Sequence, residues 1–422
     1  MTDRAWQAKL ACVWAGELIS VLTSSILQMG FIWHITLSTN SASMLSLASF
    51  AGFLPLALFG TFAGVVVDRL PLKRVLIGAD LFIAAVSAVT AAVSVTGTLP
   101  VWVVIVALFF RAIGSAFHTP AFQTLTPLVA PPEHLTRLAG VTQAVQSGGY
   151  IMGTAIAAVI YPLWGLTAMI ALDVAGALVA TVAIVVAKLD VGGAQGAEEG
   201  EATGSAGILS QARDLMRQTV AGYRVLRSYR GLFALLWCGF VFTLVFSPIS
   251  ALFPLMTIDH FGGTTADAAT AEIVFSVGMI AGSALLASTG GFKNRALTVV
   301  AATALYGAAT LVAGLLGPNG YVAFLAMSFL MGVSSPFYSG PQTALMQEKV
   351  PPEYLGRVFG LYGAIMSWAL PIGLAVSSLF ADGVGATLWF AGAGAAMLLL
   401  ALATWAIPSI RTIEADSERA AD

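Results

Sequence analysis

About twelve apolar stretches divide this chain, each near the ~20 residues that a helix needs to cross ~30 Å of hydrocarbon. They run approximately over 10–36, 44–67, 75–96, 101–122, 138–161, 165–187, 232–257, 269–290, 296–316, 321–345, 355–380 and 385–407. Most breaks between them are short and polar, such as Thr39-Asn40, Gly97-Thr98 and Gly317-Asn319. One is long, roughly 188–231. Its first part, Gly192 to Gly207, is Gly, Ala and Glu with little to bury, and predicts disorder. Its second part carries Arg213, Arg217, Tyr223, Arg224, Arg227 and Arg230, a pattern suited to a basic amphipathic helix on an anionic membrane surface. The pattern thus predicts an all-α integral membrane protein with six spans, a linker and six more spans. The expected boundaries are 1–188, 189–230, 231–410 and a tail, 411–422.

Charge fixes the orientation. Of 19 Lys and Arg residues, all but Arg111 fall on one side once the chain is divided this way. The positive-inside rule then places both termini in the cytoplasm. Composition agrees: 58% hydrophobic residues, 9% charged residues and a mean hydropathy of +0.89 do not describe a water-soluble enzyme. Cys12 and Cys238 lie in apolar stretches and read as small packing residues rather than a disulfide or metal pair. The first apolar run is too long for a cleavable signal and is followed by further spans.

The two halves are related in sequence. Phe117–Gly140 aligns with Phe337–Gly360 at an offset of 220 residues (337 − 117), so that Pro131-Pro132-Glu133 meets Pro351-Pro352-Glu353 and Arg137 meets Arg357. Gly153 meets Gly373 at the same offset, and Trp14-Ala-Gly16 matches Trp237-Cys-Gly239. Parallel six-span repeats are the pattern of transporters that rock one half against the other. The expected fold is therefore two pseudo-twofold-related six-helix bundles.

After the second stretch comes Gly64-x-x-x-Asp68-Arg69-x-Pro71-x-Lys73-Arg74, which is similar to the signature between spans two and three of the major facilitator superfamily, with Pro71 and Leu72 departing from the common Gly and basic residue. The runs from Arg111 to Pro120 and from Phe337 to Pro341, together with Trp14-Ala-Gly, Ile77-Gly-Ala-Asp80 and Pro352-Glu-Tyr-Leu-Gly-Arg357, resemble its macrolide-efflux branch of bacterial drug:proton antiporters. The resemblance implies that Asp68 sits near the N-terminus of span eleven, where a carboxylate meets the positive end of a helix dipole. Asp68, Arg69 and Arg74, with Gly64, would bias the alternating states; merely fixing topology is the other reading of the basic residues.

Buried charge marks the candidate coupling site. An ionisable group at a helix centre costs ~2.5–3.5 kcal/mol and so faces the protein interior. Counted at ~1.5 Å per residue, Glu17 lies roughly 12 Å and Arg111 roughly 16 Å from the cytoplasmic ends of their spans. These depths suggest a pair, with Glu17 taking a proton or a cationic substrate in alternation; a structural ion pair is the alternative. Asp173 and Glu272 lie nearer the outer end and could serve as release-side proton sites or substrate anchors, although Glu272 reads slightly better as a first-turn carboxylate. Asp80 suits a hydrogen-bonded structural role, and His34 and His118 suit interfacial positions. The glycines at Gly148, Gly149 and Gly153 suit either close packing or a pivot. Trp33, Phe117, Tyr150, Phe246, Tyr338, Tyr362, Met366 and Trp368 are candidates for an adaptable apolar cavity.

No phosphate-binding loop and no reactive constellation suggests an ATPase or an intramembrane enzyme. The expectation is a secondary transporter in the bacterial inner membrane, working as a monomer among membrane lipids, without cofactor, metal or nucleic acid. It would exchange protons for a bulky amphipathic compound, macrolides by resemblance. An endogenous siderophore or lipid-like metabolite is the alternative substrate.

Overall fold

A computed structural model describes residues 5–97, 99–131, 134–187, 222–289, 294–411 and 413. Among them every long element is a helix. The helices are α1 (Ala5–Thr39), α2 (Ala42–Arg69), α3 (Leu72–Val95), α4 (Val101–Val129), α5 (Leu135–Val186), α6 (222–228), α7 (Arg230–Leu255), α8 (Thr265–Thr289), α9 (Arg295–Leu315), α10 (Tyr321–Lys349), α11 (Pro352–Val384), α12 (Ala386–Ala406) and the short α13 (Pro408–Arg411). A π-helical turn, Met256–His260, extends α7. Eleven of these stretches are long and apolar enough to cross a membrane.

The twelfth expected span is inside α5. Its 52 residues would reach about 78 Å if straight, more than twice the hydrocarbon thickness. Gly165 breaks the run with φ 69°, a left-handed conformation that only glycine adopts cheaply. Pro162, just before it, removes one backbone donor. The two arms of α5 are the predicted spans 138–161 and 165–187.

Polarity is inverted relative to a water-soluble protein. Val322 and Leu379 are 78% and 75% exposed, whereas Asp173 and Asp80 are 1% and 2% exposed. Helices bathed in hydrocarbon gain nothing by hiding leucine, but must satisfy every polar group internally. Buried hydroxyls do so on their own helix: Thr36 donates to the Ile32 carbonyl, Thr90 to Val86, Thr303 to Val299, Thr310 to Tyr306 and Ser328 to Phe324.

The chain forms two compact units, Met1–Thr39 with Leu47–Gly207, and Asn40–Ser46 with Ile208–Asp422. In the first unit α1 packs along α5, and α3 packs against α4 and α5. In the second, α7 packs on α11, α8 on α10, and α9 between α10 and α12. The segment Asn40–Ser46 groups with the second unit because Asp382 caps the start of α2: its carboxylate accepts from the Ser41 hydroxyl at 2.7 Å and the Ser43 N–H at 3.0 Å. Helix α6, expected in the linker, also packs on the second unit, burying Leu226. Arg213 and Arg217, and the 192–207 insertion, lie outside the described residues.

The sequence repeat reappears as repeated packing within each unit. Leu125, Ala130 and Leu138 are buried in one apolar cluster of the first unit, and Leu345, Val350 and Val358, at the same offset of 220, in one cluster of the second. Gly153 faces the Leu22 carbonyl and Ser25, where a Cβ would stand 2.6 and 2.7 Å away. Gly373 faces the Leu244 carbonyl and Ser247 with as little room. Both glycines therefore let two backbones meet, the close-packing role of small residues in membrane helices.

Candidate functional site

The ionisable residues of the first unit form two layers. In one, the Arg111 guanidinium forks onto Asp173: Nη2 donates to Oδ1 at 3.0 Å and Nη1 to Oδ2. Ser24 donates to Asp173 Oδ1 at 2.9 Å, Ser87 donates to Oδ2 at 2.7 Å, and Arg111 also reaches both hydroxyls. Helices α1, α3, α4 and the second arm of α5 thus each supply one member. The fork geometry suits a bidentate carboxylate, and every carboxylate oxygen has two donors.

Glu17 is not in this layer, so the expected Glu17–Arg111 pair is corrected. The reason is length: α4 runs on to Val129, not residue 122. Arg111 therefore lies about 27 Å from the cytoplasmic end of its helix and Glu17 about 18 Å from the start of α1, a difference of nearly two turns. Asp173, expected as a lone outer carboxylate, is the partner of Arg111.

Glu17 belongs to a second layer with Asp80 and His118. His118 Nε2 lies 3.3 Å from Asp80 Oδ1 and 3.6 Å from Glu17 Oε2. Gln146, from the first arm of α5, donates to Glu17 Oε1 at 2.9 Å. The imidazole stacks on Phe122, its centroid 6.0 Å away. Asp80 Oδ2 is buried without a hydrogen-bond partner, and His118 Nε2 makes no well-directed hydrogen bond despite its two neighbours. His118 is therefore interior rather than interfacial, and Asp80 is not the satisfied structural carboxylate that was expected.

The two layers are in register. Glu17 and Ser24 on α1, Asp80 and Ser87 on α3, and His118 and Arg111 on α4 are each seven residues apart. Seven residues are two helical turns, so each pair shares a face about 10.5 Å apart. This heptad spacing of polar residues on three apolar spans was the signal available in the sequence.

At the position equivalent to His118 the second unit has a neutral group. Tyr338, 220 residues after His118, stacks on Phe242 at 4.3 Å, and its buried hydroxyl has no hydrogen-bond partner. Gln342 donates to the Leu235 carbonyl at 3.1 Å and accepts from the Tyr362 hydroxyl at 2.8 Å. Phe246 packs edge-on to Tyr306 at 5.7 Å, and Met366 Sδ accepts from Thr243 at 3.8 Å. Tyr338, Gln342 and Met366 meet beside Gly239, with Tyr362 joined through Gln342 and Phe246 through Phe242. Of the other cavity candidates, Trp33 is 1% exposed and packed on Tyr161, Phe117 packs on the apolar cluster of its unit, and Tyr150 and Trp368 have exposed side chains.

Of the remaining candidates, Glu272 on α8 lies within electrostatic reach of Tyr306, which packs on Phe242 and Phe246. Helix α8 is capped by Thr264 and Asp267, which exchange hydrogen bonds, so Glu272, about one and a half turns past Asp267, is not its cap. His34 bonds the Leu99 carbonyl at 2.9 Å, and His260 of the second unit the Leu316 carbonyl at 2.7 Å. Gly64 is on α2 with nothing close to it, and Arg74 is exposed. The side chains of Asp68 and Arg69 lie outside the described residues. No group of three His, Cys, Asp or Glu among the described residues is placed to hold a metal ion.

Two helical units from a repeated sequence, with ionisable residues inside and leucine outside, define a membrane transporter. The profile of the Major Facilitator Superfamily matches residues 13–369 and 235–421. Macrolide efflux protein A of Streptococcus pyogenes is 44% identical over 409 residues, covering 97% of this chain and 98% of that protein. The protein of the same name from Enterococcus faecalis is 45% identical over 335 residues, 79% of this chain and 100% of its own. The multidrug efflux pump Tap of Mycolicibacterium fortuitum is 28% identical over 402 residues, 92% of this chain and 93% of its own. A crystal structure of a POT family transporter with a thioalcohol-conjugated peptide shares the fold, with a TM-score of 0.73 at 12% identity over 94% of this chain and 95% of that one.

The chain belongs to the Major Facilitator Superfamily. Its sequence groups with the superfamily's macrolide-efflux branch, and it is a multi-pass transporter of the efflux kind rather than an enzyme.

Proposed function

We propose that this transporter exports bulky amphipathic compounds, macrolide-type antibiotics first among them, by proton antiport with alternating access. The observation that carries the reading is 44% identity across nearly the whole length of a macrolide efflux protein. Similarity of that degree runs through both helical units. The aromatic and thioether group of Phe246, Tyr338, Tyr362 and Met366 supplies adaptable apolar surface for a large ligand. The buried carboxylates supply groups that can take protons within the membrane.

In this reading the chain sits in the cytoplasmic membrane of a bacterium with both termini inside, supported by the one-sided distribution of its Lys and Arg residues. Gly64, Asp68, Arg69 and Arg74 act in this reading as the cytoplasmic conformational clamp. One chain holds both repeats and works as a monomer.

The test is uptake of labelled erythromycin into inverted membrane vesicles with and without an acid-inside gradient. Gradient-stimulated accumulation is expected. If another compound moves and erythromycin does not, the substrate assignment falls. If accumulation ignores the gradient, proton coupling falls.

A further inference from the structure

We propose that the proton of the antiport cycle binds at the Glu17–Asp80–His118 layer, and that Arg111 with Asp173 is a fixed brace. This deepens the proton-driven reading above and rests on it. The two layers differ in how completely they are satisfied. Each Asp173 oxygen accepts from Arg111 and from a serine, leaving that layer no vacant acceptor and no reason to exchange protons. The Glu17 layer carries two carboxylates against one imidazole, with Asp80 Oδ2 buried and unpartnered. A buried acceptor without a donor is a standing penalty that a bound proton removes.

The groups facing His118 are Glu17 from α1, Asp80 from α3 and the Gln146 amide beside Glu17 from α5. On α4 the next charged residue is Arg111, two turns away and committed to Asp173. Toward the cytoplasm, Lys9 on α1 and Lys73 and Arg74 on α3 lie roughly two turns from their layer members. With His118 neutral and both carboxylates ionised, the layer holds two negative charges. One proton, forming a single N–H or O–H bond, halves that charge and comes from water on one face. Its loss to the other face returns the layer to its start, with no other reactant. In the second unit the place of His118 is held by Tyr338, so the Glu17–Asp80–His118 set is not repeated there; the intramembrane carboxylate of that unit, Glu272, is on α8 near Tyr306.

The experiment uses the full chain in vesicles with labelled erythromycin, comparing gradient-driven accumulation with exchange across the membrane at equal pH. Exchange needs no net proton movement. Glu17→Gln, Asp80→Asn and His118→Gln should each lower gradient-driven accumulation about tenfold or more and flatten its pH profile, while exchange falls far less. Asp80→Glu, which keeps a carboxyl group, should retain coupling with a displaced pH midpoint. Unchanged gradient dependence and pH profile in the three neutral variants would overturn the assignment. So would equal loss of exchange and accumulation in all four, which marks a structural cluster. A wild type indifferent to the gradient instead overturns the proton-driven reading itself.

Discussion

Removing the Asp173 carboxylate should be far more damaging than removing it together with its partner. Asp173→Ala strips Arg111 of its bidentate acceptor and leaves a guanidinium, 8% exposed, facing only the hydroxyls of Ser24 and Ser87. Breaking one side of a buried pair costs ~3–5 kcal/mol, because the surviving charge is uncompensated. The insertion cost of a lone Arg at a helix centre, ~2.5–3.5 kcal/mol, agrees in size. The double variant Arg111→Met with Asp173→Leu removes both charges and fills the space. It should recover most of the loss, since apolar replacement of a whole buried pair is commonly neutral or better. Cys12 and Cys238 are free and half-buried, so a thiol-reactive dye reports unfolding of purified protein without added labels. Melting curves of wild type, Asp173→Ala, Arg111→Met, Asp173→Leu and the double variant complete the cycle. A double variant as unstable as the sum of its parts would show that the two residues are not coupled.

Two further outcomes follow from local geometry. Gly373→Ala places a Cβ against the Leu244 carbonyl and should cost about 1–3 kcal/mol, whereas Gly392→Ala, with nothing within 4 Å, should be neutral or stabilising; both read out by the same dye. Thr264→Ala removes the cap of α8 and should cost ~1 kcal/mol, with Thr264→Ser retaining most of it.

The spans were plain in the sequence because twenty apolar residues in a row admit few other structures. The turn at Gly165 falls on the first residue of the expected sixth span, one residue past the expected gap at 162–164, and the repeat predicted equivalent buried positions such as Leu125 and Leu345. Which ionisable residues are buried was also readable, but not which of them meet. Apolar residues continue past the membrane boundary on α4, so its end was set seven residues short. That displacement put Arg111 level with Glu17 and made His118 look terminal. Two turns of helix are enough to exchange one partner for another. Among aromatics the difficulty is different: lipid and protein interior select the same side chains, so the buried Trp33 and the exposed Trp368 read alike.

The hydroxyls that answer to the carbonyl one turn earlier on their own helix have a mechanical consequence. Thr36, Thr90, Thr303, Thr310 and Ser328 stay satisfied however their helix slides or rolls against its neighbours. Interhelical ties such as the Asp173 brace and the Gln342–Tyr362 contact are few by comparison. The bundles thus resemble greased rods pinned at chosen points, and the pins decide which rods travel together.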